Sequence, residues 1–224
     1  MNQRNRSQMA ARRRQTVGWG VLLCVALSLG AVRAQAFRGL IIVGATGAQV
    51  DGDGLGGYSK GGFVGGVGVD LPTSERWGWR GEMLYSQKGA RTSNRELEQF
   101  LPFFVLRLNY LDVPLTGRYR IIDNLVAEGG LMPSVLLSAK TDVGVGFVDD
   151  EEGFNPYDVS GLIGMEYAAF DNLSFGLRFS YSLLPMNRLA IGVTNARSTA
   201  AYNKVISFTA RYLLGNGTEP PPKK

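Results

Sequence analysis

The chain contains no histidine, and its single cysteine is Cys24. Histidine is the usual general base near neutral pH, so its absence removes the commonest route to hydrolase and acyl-transfer chemistry. Carboxylate-only chemistry through Glu82 and Glu128 is conceivable, but ion pairing explains both residues more simply. We therefore expect no enzyme, no catalytic residue and no cofactor. Past residue 36 there is no run of 18 apolar residues, which excludes membrane-spanning helices. A net charge is missing too. The whole chain is basic, at +5. Removing the six arginines of residues 1–36 leaves 18 Lys+Arg against 19 Asp+Glu. An electrostatic case for nucleic-acid binding disappears with them.

Residues 1–36 have the layout of a cleavable signal peptide. Arg4, Arg6, Arg12, Arg13 and Arg14 form a basic start, Val17 to Val32 an apolar centre, and Ala34-Gln35-Ala36 a small-x-small cleavage site. Bulky Leu23 before Cys24 argues against a lipoprotein cysteine. Residues 37–214 then form one domain, without cysteine and so without a disulfide framework. Residues 215–224 are polar and Pro-rich and are expected to be a flexible tail.

What the domain has is alternation. Leu173, Phe175, Leu177, Phe179, Tyr181 and Leu183 alternate with Ser174, Gly176, Arg178, Ser180 and Ser182. Successive side chains of a strand point to opposite faces, so one face is apolar and the other polar. Trp77–Lys88 and Val205–Leu214 repeat the pattern. Eight strands are expected, over 37–47, 61–71, 77–89, 104–120, 125–138, 157–169, 173–184 and 204–214. Their connections alternate between tight (72–76, 122–124, 170–172) and long (48–60, 90–103, 139–156, 185–203). Short turns on one side and long loops on the other characterise outer-membrane barrels. The expected fold is all-β: an eight-stranded antiparallel up-and-down transmembrane β-barrel, apolar outside and polar within.

The fourth strand requires a local defect on this reading. Arg107 and Asn109 are polar at odd positions, but Asp112, Thr116, Arg118 and Arg120 at even ones. A bulge near Tyr110–Leu111 would restore the phase, with Pro114 just beyond it. The inward charge network comprises Arg80, Glu82, Lys88, Arg107, Asp112, Arg118, Arg120, Glu128, Glu166, Arg178 and Arg211, together with Asp70. Eight strands enclose a space that side chains can fill, so the interior should be plugged by ion pairs. Aromatics at strand ends should mark the two membrane interfaces: Trp77, Trp79, Tyr119, Phe175 and Tyr212 at one, Tyr85, Phe104 and Tyr181 at the other.

Three other motifs carry less. Ile41–Ala48 resembles the opening of a dinucleotide-binding fold, but Val50 occupies the third glycine position and no helix-forming sequence follows. Asp51-Gly52-Asp53-Gly54 resembles part of a calcium loop but lacks the downstream glutamate, and Asp149–Glu152 reads as a charged loop tip. No metal site is expected.

Tyr85-Ser86-Gln87-Lys88-Gly89, Leu108-Asn109-Tyr110-Leu111-Asp112-Val113-Pro114-Leu115, Gly161–Tyr167 and Leu177–Tyr181 occur in that order. The series resembles the PorT-like outer-membrane β-barrel family of Gram-negative bacteria. That resemblance implies an integral outer-membrane barrel of about eight strands and no particular activity. One departure is that Tyr212 of the last strand is followed by twelve more residues. Expected partners are outer-membrane lipid, lipopolysaccharide and other envelope proteins met through the outer loops, including Phe100–Phe104. A structural or interaction role is expected first, service as an accessory to an envelope or secretion complex being one form of it. A passive small-solute porin and a soluble lipocalin-like carrier are the alternatives.

Overall fold

A computed structural model describes residues 37–51, 57–92, 103–187 and 200–214. The expected signal segment, the tail and residues 100–102 lie outside the described residues. The strands are β1 (Arg38–Asp51), β2 (Lys60–Pro72), β3 (Trp77–Arg91), β4 (Val105–Asp112), β5 (Leu115–Ile122), β6 (Leu125–Asp142), β7 (Val148–Asp149), β8 (Tyr157–Ala168), β9 (Leu173–Ser182) and β10 (Tyr202–Leu214). All pairings are antiparallel. β4 and β5 are two halves of one wall strand, and β7 is a short addition to β6, so eight hydrogen-bonded strands form the ring. β1 closes it against β10, in register from Gly39↔Leu214 to Asp51↔Tyr202. Among the described residues each of the eight ring strands pairs on both sides, which hydrocarbon demands because it offers backbone groups no other partner.

The alternation lands as the membrane reading requires. Leu177 and Phe208 are more than half exposed on the outer wall, whereas Arg178 and Arg211 are buried inside. Phe175 stacks on Phe208 at 6.0 Å across β9 and β10. Leu177 lies between Phe208 and Met165, in the middle of the wall. Leu177→Arg should therefore cost about 2–4 kcal/mol, the expense of a cation at bilayer mid-depth. The folded fraction in lipid, read from heat-modifiable gel mobility, checks this.

The fourth wall strand departs from expectation. Leu106, Leu108 and Tyr110 are fully buried and face inward with Asp112 and Thr116, so β4 and β5 keep one phase throughout. No bulge exists at Tyr110–Leu111. It lies in the neighbour: Asn109 pairs with Ser138 but Tyr110 with Leu136, leaving Leu137 of β6 as the extra residue. The expectation failed because it took every inward residue to be polar, and the lumen is apolar at this height. What interrupts the strand instead is Pro114, which lacks a donor; one bond survives there, from the Glu82 amide to the Pro114 carbonyl at 3.0 Å. Strand pairing also continues past the predicted ends, to Asp51, Arg91 and Asp142.

Candidate functional site: the layered lumen

The interior has three layers. Nearest the short turns is a belt of four arginines and four carboxylates, drawn from seven strands. Arg80 grips Asp70 with two hydrogen bonds, Nε to Oδ1 at 2.6 Å and Nη2 to Oδ2 at 3.0 Å, and reaches Glu166 Oε2 at 2.5 Å. Arg118 bridges the same two acids at 2.9 and 3.0 Å. Arg178 donates to Glu82 at 2.7 Å and, through Nε, to Glu128 Oε1 at 3.0 Å. Arg211 joins the halves, donating to Glu128 at 3.0 Å and Glu166 at 2.7 Å. Every arginine holds two acids, and the belt is electrically balanced. The planar guanidinium fork suits such shared, bidentate pairing. Small inward neighbours give the long side chains room: a Cβ on Gly176 would stand 2.2 Å from Arg211 Nη1.

Above the belt lies a smaller polar cluster. Lys88 Nζ donates to Asp112 Oδ1 at 2.8 Å and Ser86 Oγ to Asp112 Oδ2 at 2.6 Å. The Lys88 ammonium also sits 4.6 Å from the centre of the Tyr110 ring. Ser86 is the cross-strand partner of Tyr110, and Lys88 of Leu108. Two of the four sequence segments that carry the family resemblance, Tyr85–Gly89 and Leu108–Leu115, thus lie on neighbouring strands, and their inward residues form one unit. Asp158 stands beside it, accepting from Ser182 Oγ at 2.6 Å.

Towards the long loops the lumen ends in an apolar cap. Val50, Ala90, Phe104, Leu106, Leu108, Ala139 and Ala201 of the wall strands and their ends pack with Phe154 and Met186 from the loops. The loops are tied down by backbone bonds from Asn155 to Met186 and from Met186 to Ala201, both 2.8 Å. Sequence reasoning missed this cap. Its signal is the even-numbered apolar residues of β4, which the expected bulge would turn towards lipid.

Most of the expected inward residues lie in these layers. Arg80, Glu82, Arg118, Glu128, Glu166, Arg178 and Arg211 are in the belt, and Lys88 and Asp112 in the upper cluster. Arg120 lines a cavity of about 380 Å³ at the short-turn mouth, with Arg38, Asp123 and the belt's outer residues. Arg107 is a correction. It faces outward, its guanidinium 4.4 Å from the centre of the Phe147 ring. Its even-numbered neighbours Leu106 and Leu108 take the inward positions, so alternation turns it out. Phe104 is a second correction: it is buried in the cap instead of marking an interface. The other aromatics point outward at the two ends. Trp77, Trp79 and Tyr212 are about half exposed or more near the short turns, where Trp77 meets Tyr119 at 4.8 Å and Phe175 joins them. Tyr85 and Tyr181 stand towards the long loops, Tyr181 stacked on Tyr202 at 5.9 Å.

A family model described as outer membrane protein beta-barrel domain matches residues 13–188. Among solved structures, Neisserial surface protein A is similar at 14% identity, over 78% of this chain and 96% of that one, with a TM-score of 0.53. The attachment invasion locus protein of Yersinia pestis is similar at 14% identity, over 79% of this chain and 97% of that one, with a TM-score of 0.48. No curated protein sequence matches.

Proposed function

The chain belongs to the outer membrane protein beta-barrel domain family, and from that premise we propose that it is a closed barrel with a structural or protein-interaction role. It is an outer-membrane β-barrel protein. Its working surface is the long-loop end, and other envelope proteins are its partners there. The observation that carries this reading is the belt: eight charged side chains, mutually paired, fill the cross-section where a porin would keep water. An eight-stranded ring leaves little room beyond such a filling. The apolar cap is a second barrier on the same path. Residues 1–36 supply the export signal. The finer kinship is to PorT-like barrels, supported by the way Tyr85–Gly89 and Leu108–Leu115, two of the four segments of the resemblance, meet at Lys88, Tyr110 and Asp112. The chain is not an enzyme; the support is the absence of histidine from its sequence.

Single-channel recording tests this. Purified protein in a planar bilayer should show no steady conductance at 1 M salt. A stable, reproducible open level would replace the closed reading by the passive porin.

A further inference from the structure

Alternation turns Arg107 outward, and its company there is unexpected. Directly opposite on β6 stands Lys140, its cross-strand partner. On β3 the partner of Arg107 is Gly89, and two residues along the same face comes exposed Arg91. Arg107 and Lys140 thus stand side by side, with Arg91 diagonally across from Arg107 and level with Val105, a patch of cations over three adjacent strands of the outer wall. Like charges directly opposite one another destabilise a sheet. The patch has two partial remedies. Phe147 backs the Arg107 guanidinium, and Asp149 takes Lys140 at 3.1 Å in an exposed pair. Asp142, opposite Val105 and two residues from Lys140 on the same face, is a second acid, so three cations against two carboxylates leave the patch with one excess positive charge.

The row beneath it is polar. Gln87 pairs with Asn109, and Asn109 with Ser138. The Asn109 amide donates to Ser138 Oγ at 2.8 Å, while its buried carbonyl oxygen has no partner. Below that come Tyr85 and Leu111, where the apolar wall begins. Arg107 lies four residues beyond Leu111. At 3.3 Å per residue and a tilt near 40°, that is roughly 10 Å above the apolar edge. A cationic patch over a hydrogen-bonding row at that height meets headgroups, not hydrocarbon.

We propose that the outer third of β3, β4 and β6 is a binding site for a phosphate-bearing glycolipid headgroup of the outer leaflet. Phosphate bridges Arg107 and Lys140 and so relieves their mutual repulsion, with Arg91 as the third contact. The sugar meets Asn109 and Gln87. The opposite wall offers a different surface at its long-loop end: the Tyr181–Tyr202 stack, with Lys204 beside it. The site rests on the membrane-barrel reading and deepens its lipid partner.

The test uses the full-length protein, refolded into nanodiscs and confirmed folded by heat-modifiable mobility. Binding of lipid A carrying both phosphates is titrated against enzymatically dephosphorylated lipid A, with inorganic phosphate as the soluble control. The Arg107→Gln/Lys140→Gln double variant should bind the phosphorylated lipid about tenfold or more weakly, each surface cation being worth roughly fivefold. Arg91→Gln, on an exposed side chain, should show a smaller loss in the same direction. Lys204→Gln on the far wall should bind as wild type does. Equal affinity for dephosphorylated lipid, unchanged binding by the double variant, an equal loss in Lys204→Gln, or saturation by millimolar inorganic phosphate would each overturn the site. Failure of the barrel reading looks different: no variant, nor wild type, would enter nanodiscs of any composition.

Discussion

Glu128→Leu should lower the stability of the folded barrel by roughly 3–5 kcal/mol, the usual consequence of removing one partner from a buried ion network. Glu128 Oε1 accepts from Arg178 Nε and from Arg211 Nη2, each at 3.0 Å, and its side chain is fully buried. Leucine would leave both guanidiniums short of an acceptor and the belt with one excess positive charge, in a space that side chains already fill. Glu82 and Glu166 would retain one hold each on Arg178 and Arg211, so the barrel should weaken and not simply fail to assemble. Pairing Glu128→Leu with Arg178→Leu should recover part of the loss, because the charge balance returns. Asp149→Asn supplies the contrast: its pair with Lys140 is exposed, and such pairs are worth about 1 kcal/mol or less. Urea unfolding in detergent micelles measures all three. A midpoint for Glu128→Leu within error of wild type would mean that water, not arginine, satisfies these carboxylates.

Gly89→Ala should cost about 2–5 kcal/mol, combining backbone strain with overpacking. Gly89 holds φ at +129°, a conformation that disfavours any side chain. A Cβ there would stand 2.1 Å from the Leu106 carbonyl oxygen across the β3–β4 pair. That oxygen belongs to a ladder and has no flexible end to swing aside. Gly81→Ala is the matched control on the same strand, since its nearest contact would be Leu115 Cδ2 at 3.7 Å. It should change stability by less than about 0.5 kcal/mol. The same unfolding assay separates the two, and equal effects would remove the close approach as the reason for glycine at 89.

Much of the site is legible in the sequence alone. Arg80, Glu82, Glu128, Glu166, Arg178 and Arg211 alternate strictly with apolar residues, so their shared inward face follows from period alone. Which acid each arginine holds was not legible. Arg178 meets Glu82 although the two are 96 residues apart, and only ring closure brings β9 across the lumen from β3. Arg107 shows where the period misleads. The alternation there is Leu, Arg, Leu, Asn, Tyr, and it fits a polar interior with a bulge as well as an apolar interior without one. Sequence offers no means of choosing between these until β6, with Leu137 as its extra residue, is seen beside β4.

By itself, then, the sequence determined that this chain makes a closed antiparallel barrel with its greasy side out. Strand period and loop length are local properties and need no tertiary information. Tertiary structure alone decided that the lumen is layered, with paired charge at one end and an apolar cap at the other. A residue's height within the barrel depends on register, on tilt and on loops folding back, and each of these is settled only when distant strands meet. For the same reason Arg107 sits outside beside Lys140, a neighbour that no reading along one strand could supply.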